Sequence, residues 1–211
     1  ATAFSFLKAI KPFIRIGYKE LTQDKSAFNS AMSYTLKRAV TGSGKEIKID
    51  FDRALVSMGT LMPIFEGAAT LSNHQMAFNW KDNSGMGNAE RTDIAMVLVY
   101  NKDREAAAYD TEAALRSDCH AGLQLPEDWQ DDELVAYLSF CSTDGNCVAN
   151  SICLPISVIE IPEEEIDVQT ESIDTTHKRI LPDKRKVHQS RITVHSLSAP
   201  PNEIQTYRCE T

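Results

Sequence analysis

Two places in this chain gather side chains that could hold a ligand. The segment Asp82-Asn83-Ser84-Gly85-Met86-Gly87-Asn88 sets oxygen donors among glycines that let the backbone wrap closely. Asp82, Asn83 and Asn88 are ligands of the kind calcium takes, but the spacing departs from the D-x-[DN]-x-[DN]-G loop. Turn chemistry accounts for the same residues, because Gly, Asn and Asp tolerate left-handed backbone angles. The second place is Pro126-Glu127-Asp128-Trp129, where Trp129 offers an aromatic face of the sort that packs on a sugar, although packing at the sandwich edge is the favoured reading. Trp80 alternates with apolar positions and is expected to be buried. Trp129, Asp82, Asn83 and Asn88 are therefore the candidate ligand-binding residues.

Other segments suggest chemistry that their spacing does not support. Gly42-Ser43-Gly44-Lys45 lacks the spacing of a phosphate-cradling loop and follows a helical pattern rather than a strand, so it reads as a helix stop. Asp131-Asp132-Glu133 precedes a strand and reads as a solvated run rather than as paired catalytic carboxylates. His74, His120, His177, His188 and His195 fall in no local nucleophile motif, and G-x-S-x-G is missing. Five cysteines, at 119, 141, 147, 153 and 209, leave at least one free or paired between chains. Cys141 and Cys147 flank the turn 142–146. Ordinary half-buried thiols are the favoured reading there, with a cross-strand disulfide as the alternative. Five residues separate 141 from 147 and 147 from 153, unlike the tight knuckles of structural zinc. No catalytic residue, metal or cofactor is expected.

The elements that would position these residues fall into regions. Residues 1–44 read as helical. Phe6, Leu7, Ile10 and Ile14 recur at helical spacing, with a kink or restart at Pro12. A second helix is capped by Ser26 and runs to about Val40, with Phe28, Met32 and Leu36 as its apolar stripe. Together they predict a helical hairpin laid against a sheet. Residues 45–66 hold a strand over 46–51 and a connector. Residues 67–156 then alternate at period two. Strands are expected near 68–71, 75–80, 94–100, 104–109, 119–125, 133–141 and 147–155, and Asp144-Gly145 marks the final hairpin. Two antiparallel sheets would enclose Phe78, Trp80, Val97, Val99, Leu123, Ala136, Leu138, Phe140 and Ile152. Residues 157–211 differ in kind. An acidic run is followed by a basic one with few apolar residues, which predicts a charged, mobile tail.

Composition sets outer limits. The 211 residues carry 42% hydrophobic and 25% charged side chains, ordinary values for a chain that buries a core. A net charge of −8 argues against a general nucleic-acid binder, which needs a basic face. No apolar run approaches the length of a membrane-spanning helix. The opening residues Ala1-Thr2-Ala3-Phe4 show no basic stretch before an apolar core, so no signal peptide is read there. Compartment stays open.

Several segments together resemble a Bacteroidota family known as domain of unknown function 6266. They include Ile16-Gly17-Tyr18-Lys19, Asn29–Lys37, Ile49-Asp50-Phe51, Trp80-Lys81-Asp82-Asn83-Ser84-Gly85, Val97-Leu98-Val99-Tyr100-Asn101 and Ser142-Thr143-Asp144-Gly145. The resemblance spans residues 4–155 and brings no assigned activity. The sandwich itself resembles an immunoglobulin or fibronectin type III module. The reading is thus a mainly β chain, a helical hairpin followed by an antiparallel sandwich. It is expected to act as a non-catalytic structural or protein-interaction module in a larger assembly or in self-assembly. The alternative is a carbohydrate- or ligand-binding sandwich.

Overall fold

The computed structural model describes residues 2–43, 46–129 and 131–159. The expected tail from residue 160 onward lies outside the described residues. The chain begins with helix α1, Ala3–Ala9. Its N-terminus is closed by a reciprocal cap: the Thr2 hydroxyl accepts from Ser5 N, and the Ser5 hydroxyl accepts from Thr2 N. The helical run breaks at Ile10 and restarts as α2, Lys11–Gly17, with Pro12 in its first turn, where a missing N–H costs nothing. A 3-10 turn at Lys19–Leu21 leads to α3, Ala27–Arg38, whose N-cap Ser26 accepts from Asn29 N. The segment thus holds three helices rather than a two-helix hairpin.

The apolar stripe expected on α3 is displaced. Ala31 and Thr35 are its buried residues, Phe28 and Met32 lie half-buried at the margin, and Leu36 is 56% exposed. Small residues let α3 approach closely, and α1 and α2 supply the bulk instead: Phe6, Leu7, Ile10, Phe13, Ile14 and Tyr18 are fully buried. Each such side chain contributes roughly 1.5–3 kcal/mol relative to exposure.

Strands β1 (Val40–Thr41) and β2 (Lys48–Ile49) form a short antiparallel ladder. The expected strand over 46–51 is therefore only two residues long, and 50–66 crosses the molecule irregularly. Then come β3 (Gly67–Ser72), β4 (Gln75–Trp80), β5 (Ile94–Asn101), β6 (Ala106–Leu115), β7 (His120–Gln124), β8 (Leu134–Cys141), β9 (Ile152–Leu154) and β10 (Ile156–Val158). They build two four-stranded sheets, ordered β10-β3-β4-β7 and β6-β5-β8-β9. Asn73 and His74, both at positive φ, make the two-residue turn between β3 and β4. Strand β6 runs six residues beyond the expected end at Tyr109, and a bulge between Ala95 and Val97 accommodates it on β5. Strand β10 was not expected as an element: it pairs in parallel with β3, Ile156 opposite Ala69 and Val158 opposite Leu71. Residues 157 and 158 are thus part of the first sheet.

The two sheets face each other across one apolar core. From the first sheet come Met76, Phe78 and Trp80, and from the second Val97, Val99, Ala136, Leu138 and Phe140. Leu123 and Ile152 pack at its edge. The opposite face of the second sheet is also dry. Met96, Leu98, Tyr100, Val135 and Tyr137 pack there against Phe6, Leu7, Ile10, Phe13, Ile14 and Val56. Strands β5 and β8 are consequently buried on both faces, which is why they read as near-continuous apolar runs. Gly17 permits the close approach of α2 to the irregular segment. A Cβ there would sit 2.5 Å from the Val56 carbonyl, and Met58 N donates to the Gly17 carbonyl at 2.8 Å.

Candidate functional site

The residues singled out for ligand binding do not converge. The Asp82–Asn88 loop precedes β5, whose first residue Ile94 pairs with Cys141 at the end of β8. Trp129 precedes β8, whose first residue Leu134 pairs with Asn101 at the far end of β5. The two places lie at opposite ends of eight-residue strands, about 24 Å apart along the strand direction. Trp129 sits in the 3-10 turn Glu127–Trp129 and is only 6% exposed, packed with Leu125 in the core between the sheets. The indole closes one end of the sandwich and leaves no open face for a sugar.

The loop residues hold backbone. Asn83 is 5% exposed and donates through Nδ2 to the Pro63 carbonyl at 2.8 Å. Asn88 accepts from Met62 N at 2.8 Å and donates to the Thr60 carbonyl. Asp82 accepts from the backbone N and the hydroxyl of Ser84, a local turn bond. These contacts tie the loop to the irregular segment 60–63.

At the centre of that tie is a residue the sequence reading passed over. Arg116 is fully buried in the 3-10 turn Arg116–Asp118 between β6 and β7. Its Nε donates to Asp93 Oδ2 at 3.0 Å, Nη1 to Asn83 Oδ1 at 2.6 Å and Nη2 to the Met62 carbonyl at 2.8 Å. The guanidinium lies 3.9 Å from the ring centre of Phe140, and the Arg116 carbonyl accepts from Trp80 Nε1 at 2.7 Å. Asp93 is 1% exposed. Burial draws the Arg116 guanidinium below its ordinary value and the Asp93 carboxylate opposes that shift. With each of its three nitrogens bonded and its face on Phe140, the buried guanidinium locks three loops together. No motif marks it, because its members are scattered between residues 62 and 140.

A second buried polar set joins Ser57, Ser139 and Ser151. The hydroxyls of Ser57 and Ser139 lie 2.6 Å apart and both reach the Ala149 carbonyl, while Ser151 Oγ accepts from Val56 N at 2.9 Å. Their partners are hydroxyls and backbone, so nothing beside them activates a nucleophile. Glu20 plays a similar part near the surface. Its carboxylate accepts from Thr60 N, from the Thr60 hydroxyl and from Val148 N at 2.6 Å.

The cysteine alternatives are resolved by register. Cys141 bridges to Val148, and its side chain faces the helical layer, whereas Cys147 packs against the core between the sheets. The two thiols therefore point to opposite faces and the cross-strand disulfide does not form. Cys141, Cys147 and Cys153 are free. Burial, with Asp52 beside it, pushes the Cys153 thiol up to about 12, and burial raises Cys141 as well. Neither is a thiolate at neutral pH, so neither is poised for nucleophilic attack.

An open cleft of 440 Å³ remains, between α3 and the loop that precedes it. Leu21, Asp24 and Lys25 form one wall, Ser33, Tyr34, Lys37 and Arg38 the other, and Met58 lies between. Sequence reading missed it, since attention fell on the apolar stripe of α3, Phe28, Met32 and Leu36. The alternation of Lys37 and Arg38 with Ser33 and Tyr34 at helical spacing is the signal that marks this second face.

No helix among the described residues is long and apolar enough to cross a membrane. No curated protein and no solved structure matches the chain. A family model does match, over residues 1–155, and on that match the chain belongs to the family of unknown function DUF6266.

Proposed function

We propose that the protein is a non-catalytic structural or protein-interaction module that works within a larger assembly. The observation that carries this reading is that the polar side chains at its buried loop ties are engaged with one another and with backbone. Arg116, Asp93, Asn83, Asn88, Glu20 and the three buried serines are all satisfied from within. The outer face of the first sheet adds support. Ala68, Thr70, Ser72, Gln75, Ala77, Asn79, Gly122 and Gln124 give it small or neutral side chains, with His120 as its titratable group. Such a weakly charged sheet face is suited to contact with another surface. We further read the sandwich as immunoglobulin or fibronectin type III-like, a scaffold type whose function lies in its surfaces, and the source as one of the Bacteroidota.

Cross-linking co-purification of the tagged full chain from its source cells tests the reading. A reproducible set of partners from one assembly is expected, and recovery of the chain alone would overturn it. The glycan-binding alternative needs a surface other than Trp129 joined to the Asp82–Asn88 loop, and a broad glycan array examines it directly.

A further inference from the structure

The helical layer carries charge unlike the rest of the described molecule. Residues 1–43 contain seven Lys and Arg against two acids, in a chain whose net charge is −8. Lys8, Lys11, Arg15, Lys25, Lys37 and Arg38 are all exposed. Among the described residues none of the six has an ion-pair partner. The ion pairs present, Lys81–Glu66, Lys102–Glu133, Arg104 with Asp128 and Asp132, and Arg116–Asp93, all lie in the sheet region. Three of these six cations, Lys25, Lys37 and Arg38, line the cleft between α3 and its preceding loop. Two acids line it as well: Glu20, held by donors from Thr60 and Val148, and Asp24, which leaves the cleft one positive charge in excess. The Ser33 and Tyr34 hydroxyls stand on the same wall, and Leu21 and Met58 supply apolar surface within the concavity.

We propose that this cleft docks an acidic segment of a protein partner, its carboxylates meeting Lys25, Lys37 and Arg38 and an apolar side chain seated over Leu21 and Met58. The proposal rests on reading the chain as an interaction module and names the chemistry of the partner. Charge complementarity selects an anionic occupant. The shape selects a polypeptide over a lipid surface, because the apolar residues line a hollow rather than project as a wedge. The acidic remainder of the chain repels an extended polyphosphate, which disfavours nucleic acid.

The test is a fluorescence titration of the full chain with a labelled peptide of alternating Asp, Glu and Leu. Binding should weaken as salt rises, since the charges are exposed. It should fall about tenfold or more in a Lys37→Glu/Arg38→Glu variant and persist in a Lys8→Glu/Lys11→Glu variant, whose changes lie outside the cleft. Unaltered thermal melting in both variants separates binding from folding. Equal loss in the two variants, or loss in neither, overturns the cleft as the site. So does tighter binding of a DNA oligonucleotide or of phosphatidylserine vesicles when Lys37 and Arg38 are intact. If the peptide fails to bind while partners still cross-link in cells, the cleft assignment falls and the module reading stands.

Discussion

Arg116 and Arg38 are the same residue type in opposite circumstances. Arg116 is buried, stacked on Phe140 and bonded in three directions; Arg38 is exposed at the end of α3 with no ion-pair partner among the described residues. The first holds the loops at one end of the sandwich, and the second stands beside two further unpaired cations in an open cleft. The contrast separates stability from recognition. A charge satisfied from every side stabilises the fold and has nothing left for a ligand. A charge left unpaired in a concave place is available to one.

The sharpest break of this comparison is Arg116→Met. It strands the buried Asp93 carboxylate, and losing one partner of a buried pair costs about 3–5 kcal/mol. Thermal melting should fall by roughly 6–20 °C, and an unchanged melting temperature would deny the network its role. Arg116→Lys should rescue little, because an ammonium cannot reach Asp93, Asn83 and Met62 while stacking on Phe140.

Next in size, Glu20→Ala removes the acceptor for Thr60 N and Val148 N. Chemical denaturation should show a loss of about 1–3 kcal/mol. Gly17→Val should cost a similar 1–3 kcal/mol by overpacking, since even a Cβ meets the Val56 carbonyl at 2.5 Å. Near-ultraviolet dichroism of the helical-layer aromatics would report that strain.

A smaller effect concerns alkali. Cys153 and Tyr100 are both raised to about 12 in the folded chain, chiefly by burial. Each group is neutral when protonated, so the folded state holds its proton more tightly than the unfolded one. Their contribution is complete below the unfolded values near pH 9 and 10 and declines as pH rises toward 12. Denaturant midpoints should therefore fall above about pH 9, and a flat profile to pH 11 would contradict the burial of these groups. Smallest of all, Lys37→Glu/Arg38→Glu should change stability by no more than about 0.5 kcal/mol while removing binding.

The strands were legible because period-two alternation survives in β4, and because β5 and β8 are apolar on both faces. Gln75–Trp80 and Leu134–Cys141 could be read almost to the residue. Ser26 as a cap and Pro12 as a restart were equally local signals. What stayed hidden depends on contacts distant in sequence. Strand β10 is three residues long and exists only because β3 offers a free edge. Beyond the two-residue β1–β2 ladder, Asp50 N still bonds to the Ala39 carbonyl, and the chain then turns at 51–53. The sequence favoured edge packing for Trp129 without showing which end of the sandwich the indole closes. The α3 stripe misled because Ala31 and Thr35, not Leu36, fit under α1 and α2. Arg116 could not be foreseen from residues 62, 83, 93 and 140 read in order.

The central claim is that this is an interaction module whose unpaired helical cations recognise its partner. Cross-linking in source cells, run side by side with the native chain and with Lys37→Glu/Arg38→Glu, tests it most directly. The account predicts a defined partner set with the native chain that is lost from the equally stable variant, with an acidic segment at the cross-link. Recovery of both chains alone would contradict it.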